Sequence, residues 1–521
     1  MKLKINQLDL PPGYSPEQLL KAAAKHLRCD PAALSNLQTL RRSIDARGRS
    51  PRMTLTVEVD LAGSLRNGLR NVEKAPSVER IVPPVVAGFS GRRPLVVGAG
   101  PAGLMAAFAL AEAGLKPLLI ERGEAAAPRA KRVESFWKDG TLDVESNVLY
   151  GEGGAGLFSD GKLTSRSKDR PRVRRLLEIF VASGASPDIL IDAEPHIGSD
   201  VLEELVPALR SRIIELGGEV RFGARLDRLE IENGNVRGAV ISGEEFRTDT
   251  CVLATGHSAR DIYEMLAEQG VPLEPKGFAV GVRLEIPQHR IDTAQWGGSF
   301  PNLGKASFRL TRREEENARS CYTFCMCPGG LVISCASSEG LMTTNGMSLS
   351  KRDKPMGNAA FLVPVMPSDF PNLGKPELAG IEFQKKMEAA AFAAGGSDYS
   401  LPAQRLVDFL EGAESDLPSE RSCTMARPAQ LRGLLPEFVE HTLRSAVPKM
   451  LRSMRGVQLD EALLYASETR SSSPVRIVRD EEGQSVIRGL YPCGEGAGYA
   501  GGIVSSGIDG LRLAESIVAT R

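Results

Sequence analysis

The chain has 521 residues, and its 65 lysines and arginines balance 65 aspartates and glutamates. A neutral balance gives no global electrostatic reason to expect nucleic acid or an anionic membrane as partner. With aromatic residues at only 5%, no base-stacking surface is visible either.

Hydrophobic residues at 42% allow sizeable cores, and at roughly 150 residues per domain the length predicts about three of them. The start, Met1-Lys2-Leu3-Lys4-Ile5, lacks the apolar run of a signal peptide, and a cytoplasmic protein is expected. Leu3, Ile5 and Leu8 to Leu10 read as a strand. Ser15-Pro16-Glu17-Gln18 opens a helix, with Ser15 as cap, Pro16 at the first helical position and Gln18 closing a capping box. Leu19, Leu20, Ala23 and Leu27 form its apolar stripe. Thr54 to Val59 alternates polar and apolar residues and reads as a second strand. Residues 61–92, with Pro76, Pro83, Pro84, Gly88 and Gly91, read as a connection.

From Pro94 to Ala111 no charge appears, a length near that of a membrane span. Gly98, Gly100, Pro101 and Gly103 break it, so it reads as a buried strand, turn and helix. Leu95-Val96-Val97 is the strand, Gly98-Ala99-Gly100-Pro101-Ala102-Gly103 the turn, and Leu104 to Ala111 the helix; a second strand ends at Glu121. Gly98 permits the tight turn, Gly100 lets the backbone approach a pyrophosphate, and Gly103 lets helix and strand pack closely. The helix N-terminus offers N–H groups and a positive dipole end to phosphates, and Glu121 can accept hydrogen bonds from ribose hydroxyls. Strand, helix and acid in the right places make this a dinucleotide fingerprint.

Further on, a helix near 201–216 and short strands at 219–222, 227–231 and 236–241 are expected, and Cys251 to Ala254 reads as a buried strand ending in Thr255-Gly256. The glycine pattern recurs at Gly151 to Gly156, without a clean strand before it, and at Gly496 to Gly501, after the strand Gly489-Leu490-Tyr491-Pro492. That last site, with Gly494-Glu495 before it and Gly501-Gly502-Ile503 opening a final helix, supplies a second helix N-terminus and an acid. A flavin's ribityl chain needs such groups; plain NAD does not. The cysteines, at 29, 251, 321, 325, 327, 335, 423 and 493, predict no disulfide framework. Cys325-Met-Cys327 matches no zinc pattern, so no metal is expected. Two readings of this pair stay open, small core residues or a redox or substrate-facing pair.

The fingerprint, Ala254-Thr255-Gly256, and Gly494-Glu495 with Gly501-Gly502 together resemble the glutathione-reductase-type FAD fold. More closely, the chain is similar to the bacterial FAD-dependent dehydrogenases of uncharacterised substrate. Gly151–Leu163 (GEGGAGLFSDGKL), Ala254–Asp261 (ATGHSARD), Glu468–Arg476 (ETRSSSPVR), Gly489–Gly502 and the N-terminal Leu40–Arg47 carry this resemblance. It implies an α/β chain in four segments. Residues 1–88 are a small ferredoxin-like α+β module and linker, and 89–271 the first segment of a Rossmann-type FAD-binding domain. Residues 272–450 are an inserted mixed α+β cap or substrate domain, and 451–521 the returning FAD-binding segment. It also implies FAD contacts by Gly98, Gly100, Pro101, Ala102, Gly103, Gly154, Leu226, Ala254, Thr255, Gly256, Gly494, Gly501, Gly502 and Ile503. Glu121 would hold the ribose and Arg122 would flank the adenine. Glu495 stands where related flavoproteins more often have Asp, and Ala224 where Thr or Ser is usual.

Flavin carries the hydride chemistry itself, so catalytic residues need form no loud motif. Lys162 can stabilise reduced, anionic flavin, or serve as a surface lysine. His257 is a candidate acid or base, or a structural cap. Arg470, with Arg476, can grip a carboxylate, or form inter-domain salt bridges. The run Arg166, Lys168, Arg170, Arg172, Arg174 and Arg175 suits the phosphate of NADPH or a solvated face. The leading expectation is an FAD-dependent oxidoreductase acting by hydride transfer on a small-molecule substrate, with NADH or NADPH as a transient co-substrate. The alternative is an FAD-binding factor without turnover, RNA- or assembly-associated, kept open by Arg41, Arg42, Arg47, Arg49 and Arg52. A plain NAD dehydrogenase is the third reading.

Overall fold

Leu3 and Ile5 lie on odd positions and Leu8 and Leu10 on even ones, yet all four are buried on one face of the first strand. A bulge between Ile5 and Leu8, with Gln7 at φ 59°, restores the phase. The computed structural model containing this strand describes all residues except 49, 66, 76–80, 82–83, 166, 299, 315–318 and 371–373. The expectations attached to Arg49, Pro76, Pro83 and Arg166 therefore lie outside the described residues.

The N-terminal module comprises β1 (Lys2–Leu10), α1 (Pro16–Leu27), β2 (Leu34–Asp45), β3 (Arg52–Leu61) and β4 (Val72–Lys74). Helix α1 starts on the expected capping box, in which Gln18 N donates to Ser15 Oγ at 3.2 Å and Ser15 N to Gln18 Oε1 at 2.8 Å. The strands pair antiparallel in the order β2-β3-β1-β4, and α1 closes a core of its own over them. That is the strand order of a ferredoxin-like sheet, with one difference. Between β3 and β4 the described residues form bends and turns instead of the second helix, and β4 lies inside the stretch expected to be a bare connection. Arg42 docks the module. Its backbone N donates to Ile191 O at 2.7 Å, and its Nε reaches Asp192 at 2.6 Å. Arg47 is bonded to Asp45.

The nucleotide-binding unit begins with β5 (Leu95–Val97), α2 (Pro101–Glu112), β6 (Leu118–Ile120), α3 (Ala126–Asp139), α4 (Arg170–Ala182), α5 (Ser199–Glu215) and β7 (Glu219–Arg221). A meander β8 (Leu226–Glu232), β9 (Asn235–Ile241) and β10 (Glu244–Arg247) follows, then β11 (Cys251–Leu253) and α6 (Arg260–Glu268). Helix α2 is apolar all round because it is buried all round, from Ala102 to Ala111. The uncharged stretch is thus strand, turn and helix, and among the described residues no helix is long and apolar enough to cross a membrane.

The chain leaves this unit through β12 (Leu273–Pro275) and builds β13 (Phe278–Pro287), α7 (Gln288–Trp296), β14 (Thr311–Arg313), β15 (Ser320–Cys327), β16 (Leu331–Ser338), β17 (Leu341–Met347) and β18 (Met356–Val365). It continues through α8 (Ala379–Ala394), β19 (Leu401–Arg405), α9 (Leu406–Glu411), β20 (Ala426–Pro428), α10 (Glu437–Arg452) and β21 (Leu463–Glu468). It returns through β22 (Val475–Ile477), β23 (Leu490–Pro492) and α11 (Ile503–Ala519). Seven strands form one mixed sheet, β14-β15-β18-β13-β21-β19-β20, with β16 and β17 as a separate ribbon. Because β21 pairs with β13 and β19, the inserted unit runs to Glu468, and the expected boundary at 450 is corrected. The antiparallel pair of β12 and β22 marks where the chain leaves and re-enters. Strand β23 then joins the parallel sheet β23-β11-β5-β6-β7, and α11 packs across α2.

Candidate active site between the two units

The turn after β5 is tight enough to demand glycine twice. Gly98 has φ +99°, and a Cβ there would stand 2.5 Å from Ala254 O. A Cβ on Gly103 would stand 1.8 Å from Gly98 O, so α2 could not lie so close to β5. The first turn of α2 thereby faces a cavity of about 270 Å³, which Gly98, Gly100, Pro101 and Ala102 help to line. Its N–H groups lack intrahelical partners and carry the positive end of the helix dipole. Gly154 approaches from the opposite loop, where a Cβ would come within 3.2 Å of Gly100 Cα. This bare backbone cradle at a helix N-terminus fits the pyrophosphate of FAD.

Glu121 ends β6 and is 6% exposed. It accepts from Ala99 N at 2.8 Å, Gly151 N at 3.0 Å and Gly123 N at 3.1 Å, tying three loops together. A carboxylate has about four lone-pair sites, so little more than one is left for a ribose hydroxyl. Arg122 lines the cavity edge, held by Glu145 at 2.6 Å and Asp261 at 3.0 Å, over the Tyr150 ring. Leu226, with Ala224, and Ala254-Thr255-Gly256 complete this wall. Gly502 and Ile503 at the start of α11, and Glu495, close the far end. Burial pushes the Glu495 carboxyl up to about 7, against the opposing hydrogen bond from Gly502.

Gly103, Gly494 and Gly501 are not among the residues that line the cavity. Gly494 instead permits close packing, since a Cβ there would meet Ala102 Cβ at 2.6 Å. Its N–H donates to Asp509 at 2.8 Å, and Arg479 holds Asp509 at 2.7 and 2.9 Å. Sequence reading missed Asp509 and Arg479, as it missed the fully buried Arg129. Arg129 satisfies the carbonyls of Asn147, Val148 and Glu152 and so holds the 151–156 loop in place.

The inserted unit supplies the opposite wall, with Phe324 and Cys325 from β15, Thr343, Thr344 and Asn345 from β17, and Glu468 from β21. Arg283, fully buried, holds Glu468 through two bonds of 2.8 Å. Burial nonetheless pushes the Glu468 carboxyl up to about 7, against the pull of Arg283.

Lys162, His257 and Arg470 all reach this cavity, each in a setting the sequence did not show. Lys162 bridges the units, donating to Asp160 at 2.7 Å and to the Met326 carbonyl. Burial opposes its charge, but Asp160 and the thiols of Cys327 and Cys325 hold its pKa above the usual lysine value. His257 Nδ1 is buried with no hydrogen-bond partner among the described residues, a polar atom left for a ligand to satisfy. Burial, then Arg470 and Arg260, depress this imidazole to about 3. Held so low, the imidazole is neutral at physiological pH. Arg470 is spent on Glu388, at 2.9 and 2.8 Å, and on Ser337 at 2.8 Å. Its fork is not open to grip a carboxylate, and Arg476 is not among the lining residues. Of the basic run, Arg172 and Arg175 pair with Glu515, and Arg174 with Glu178.

A family model described as FAD-dependent protein, C-terminal domain-like, matches residues 277–471. An NAD(P)-binding Rossmann-like domain matches 96–156, and a domain of unknown function matches 2–60. The chain is 40% identical over 531 residues to an uncharacterized protein of Clostridium beijerinckii, covering 99% of each. It is 29% identical over 193 residues to a thiamine thiazole synthase of Aeropyrum pernix, covering 34% of this chain and 58% of that protein. Among solved structures, a variant of the E. coli quinol fumarate reductase FrdA is similar at 14% identity and a TM-score of 0.38, covering 82% of this chain and 70% of that one.

Proposed function

The chain belongs to a bacterial family of FAD-dependent proteins of uncharacterised substrate, and from that premise we propose that it transfers hydride between FAD and a small organic substrate admitted against the inserted unit. One observation carries the reading: a single cavity has the dinucleotide cradle on one wall and Glu468, Cys325 and Thr343 of the inserted unit on the other.

The Gly98–Gly103 turn, Glu121, Leu226, Ala254 to Gly256, Glu495 and Gly502 would hold the cofactor. FAD, when bound, supplies the two-electron hydride chemistry. The protein's own part is to place the substrate, exclude water and move the accompanying proton. Glu468, with its carboxyl near 7, is poised to take or give that proton close to neutral pH. Lys162 fixes a positive charge at the junction, and neutral His257 offers a hydrogen bond. The lining cations Lys162, Arg470, Arg122 and Arg225 each already hold a carboxylate, which supports a substrate of low charge over a polyanion. Buried thiols such as Cys251, Cys321 and Cys335 support a reducing, cytoplasmic setting.

The test is anaerobic mixing of the yellow holoprotein with a panel of small alcohols, amines, acids and thiols, and with NADH and NADPH to probe a transient co-substrate. Bleaching by a low-charge organic compound, slowed in Glu468→Gln with loss of the pH limb near 7, is expected. A bleaching rate and pH profile unchanged by Glu468→Gln would overturn the proton role. Reduction only by polyanions would overturn the substrate class.

A further inference from the structure

Eight cysteines are distributed through the chain, and the proposed hydride transfer uses none of them. Two sit two residues apart where the inserted unit meets the cavity. Strand β15 is irregular there. Phe324 pairs with Ala360 and Cys327 with Asn358, so β15 advances three residues while its partner advances two. Such a bulge bends a strand and re-aims a side chain. Cys325 occupies it with φ 41°, a conformation uncommon outside glycine, and its side chain lines the cavity. Cys327 is fully buried, and its thiol donates to Cys325 O at 3.3 Å.

Cations stand beside this pair. Lys162 and Arg352 both bind Asp160, and Arg283 binds Glu468 while donating to Cys325 O at 3.2 Å. Lys162 and Arg283 favour a thiolate at Cys325. In accord, the hydrogen bond from Cys327, then Lys162 and Arg283, outweigh burial and bring the Cys325 thiol down to about 5. Cys335 also touches the cavity, but burial pushes it up to about 12. A half-buried, low-pKa thiol that borders a cavity, with a second thiol two residues away, is the arrangement of a reactive redox pair.

We propose that Cys325 and Cys327 form a dithiol–disulfide couple that exchanges two electrons with the bound flavin. In the oxidising direction the Cys325 thiolate and the Cys327 thiol form one S–S bond. The two electrons and the Cys327 proton pass to oxidised FAD, giving the anionic two-electron-reduced flavin. In the other direction reduced flavin opens the disulfide. The inference rests on FAD occupying the cavity and is independent of the substrate's identity.

The test is an anaerobic dithionite titration of ferricyanide-oxidised holoprotein, with bound FAD first verified by its spectrum. A coupled pair takes up about four electrons per flavin before bleaching is complete, against about two for flavin alone. Thiol counting in denaturant then gives eight in the reduced protein and two fewer in the oxidised one. A peptide carrying an internal Cys325–Cys327 bond appears only in the oxidised sample. Cys325→Ser and Cys327→Ser each return the titration to about two electrons. If a serine variant fails to fold, the wild-type electron and thiol counts decide alone. Complete bleaching of wild type at about two electrons, with eight thiols before and after, overturns the proposal.

Discussion

Replacing Glu388 with glutamine tests the buried network beside the cavity. Glu388 is fully buried in α8 and binds two guanidiniums, Arg260 at 2.8 and 3.0 Å and Arg470 at 2.8 and 2.9 Å. Burial alone would push its carboxyl up, but the charges of Arg470 and Arg260 outweigh burial and hold it at about 2, against an ordinary value of 4.5. At 1.36 kcal/mol per pH unit, that difference corresponds to about 3 kcal/mol of folding stability at neutral pH. The carboxyl is depressed in the folded state, so this stability is fully present above about pH 4.5 and is lost as pH falls toward 2. Glu388→Gln keeps the shape but leaves two buried cations uncompensated, a class of change that costs about 3–5 kcal/mol. By the scaling for 150–250-residue units, about 2–4 °C per kcal/mol, the melting temperature at pH 7 should fall by roughly 6–20 °C. Differential scanning calorimetry of wild type and variant at pH 7 measures it. A drop under about 2 °C would refute the electrostatic reasoning.

Other consequences are equally open to measurement. Gly103→Ala must push α2 off β5, because its Cβ would sit 1.8 Å from Gly98 O; the variant should purify colourless while staying folded by circular dichroism, and a fully yellow product would contradict the role given to this contact. His257 should show no titration in its ring NMR signals between pH 5 and 8, since it is depressed to about 3; a midpoint near 6.5 would show that burial does not control it. Ser15→Ala removes the α1 cap and should cost about 1 kcal/mol, within the usual range of about 0.5–2. The loss should appear as faster hydrogen exchange confined to the N-terminal module, and protection unchanged there would refute it.

What the sequence made legible is mostly what lies within one or two turns of chain. The capping box at Ser15 and Gln18, and the strand, glycine turn and helix from Leu95 to Ala111, depend on neighbours a few residues apart, and the structure has them where expected. The cavity's second wall depends on pairings across the inserted sheet. Cys325 faces the cavity because β15 bulges against β18, whose partner residues lie more than thirty positions away. Nothing in Cys-Met-Cys announces that. Arg470 read either as a carboxylate grip or as an inter-domain salt bridge, and only its pairing with Glu388, 82 residues distant, decides for the ion pair. The boundary placed at 450 failed for a similar reason: β21 is a short apolar run, and only its pairing with β13 assigns it to the inserted unit. Gly494 carried a family signal but its reason is packing, read only from the 2.6 Å approach to Ala102.

The central claim is that the cavity between the two units holds a flavin that works against the inserted wall. The most direct measurement is the absorption spectrum of the purified protein, followed by identification of the released cofactor and anaerobic reduction of wild type and Gly103→Ala. The account predicts flavin bands, FAD released in about one-to-one ratio, bleaching by a small reductant, and loss of the bands in the variant. A colourless wild-type protein that FAD does not reconstitute would contradict it.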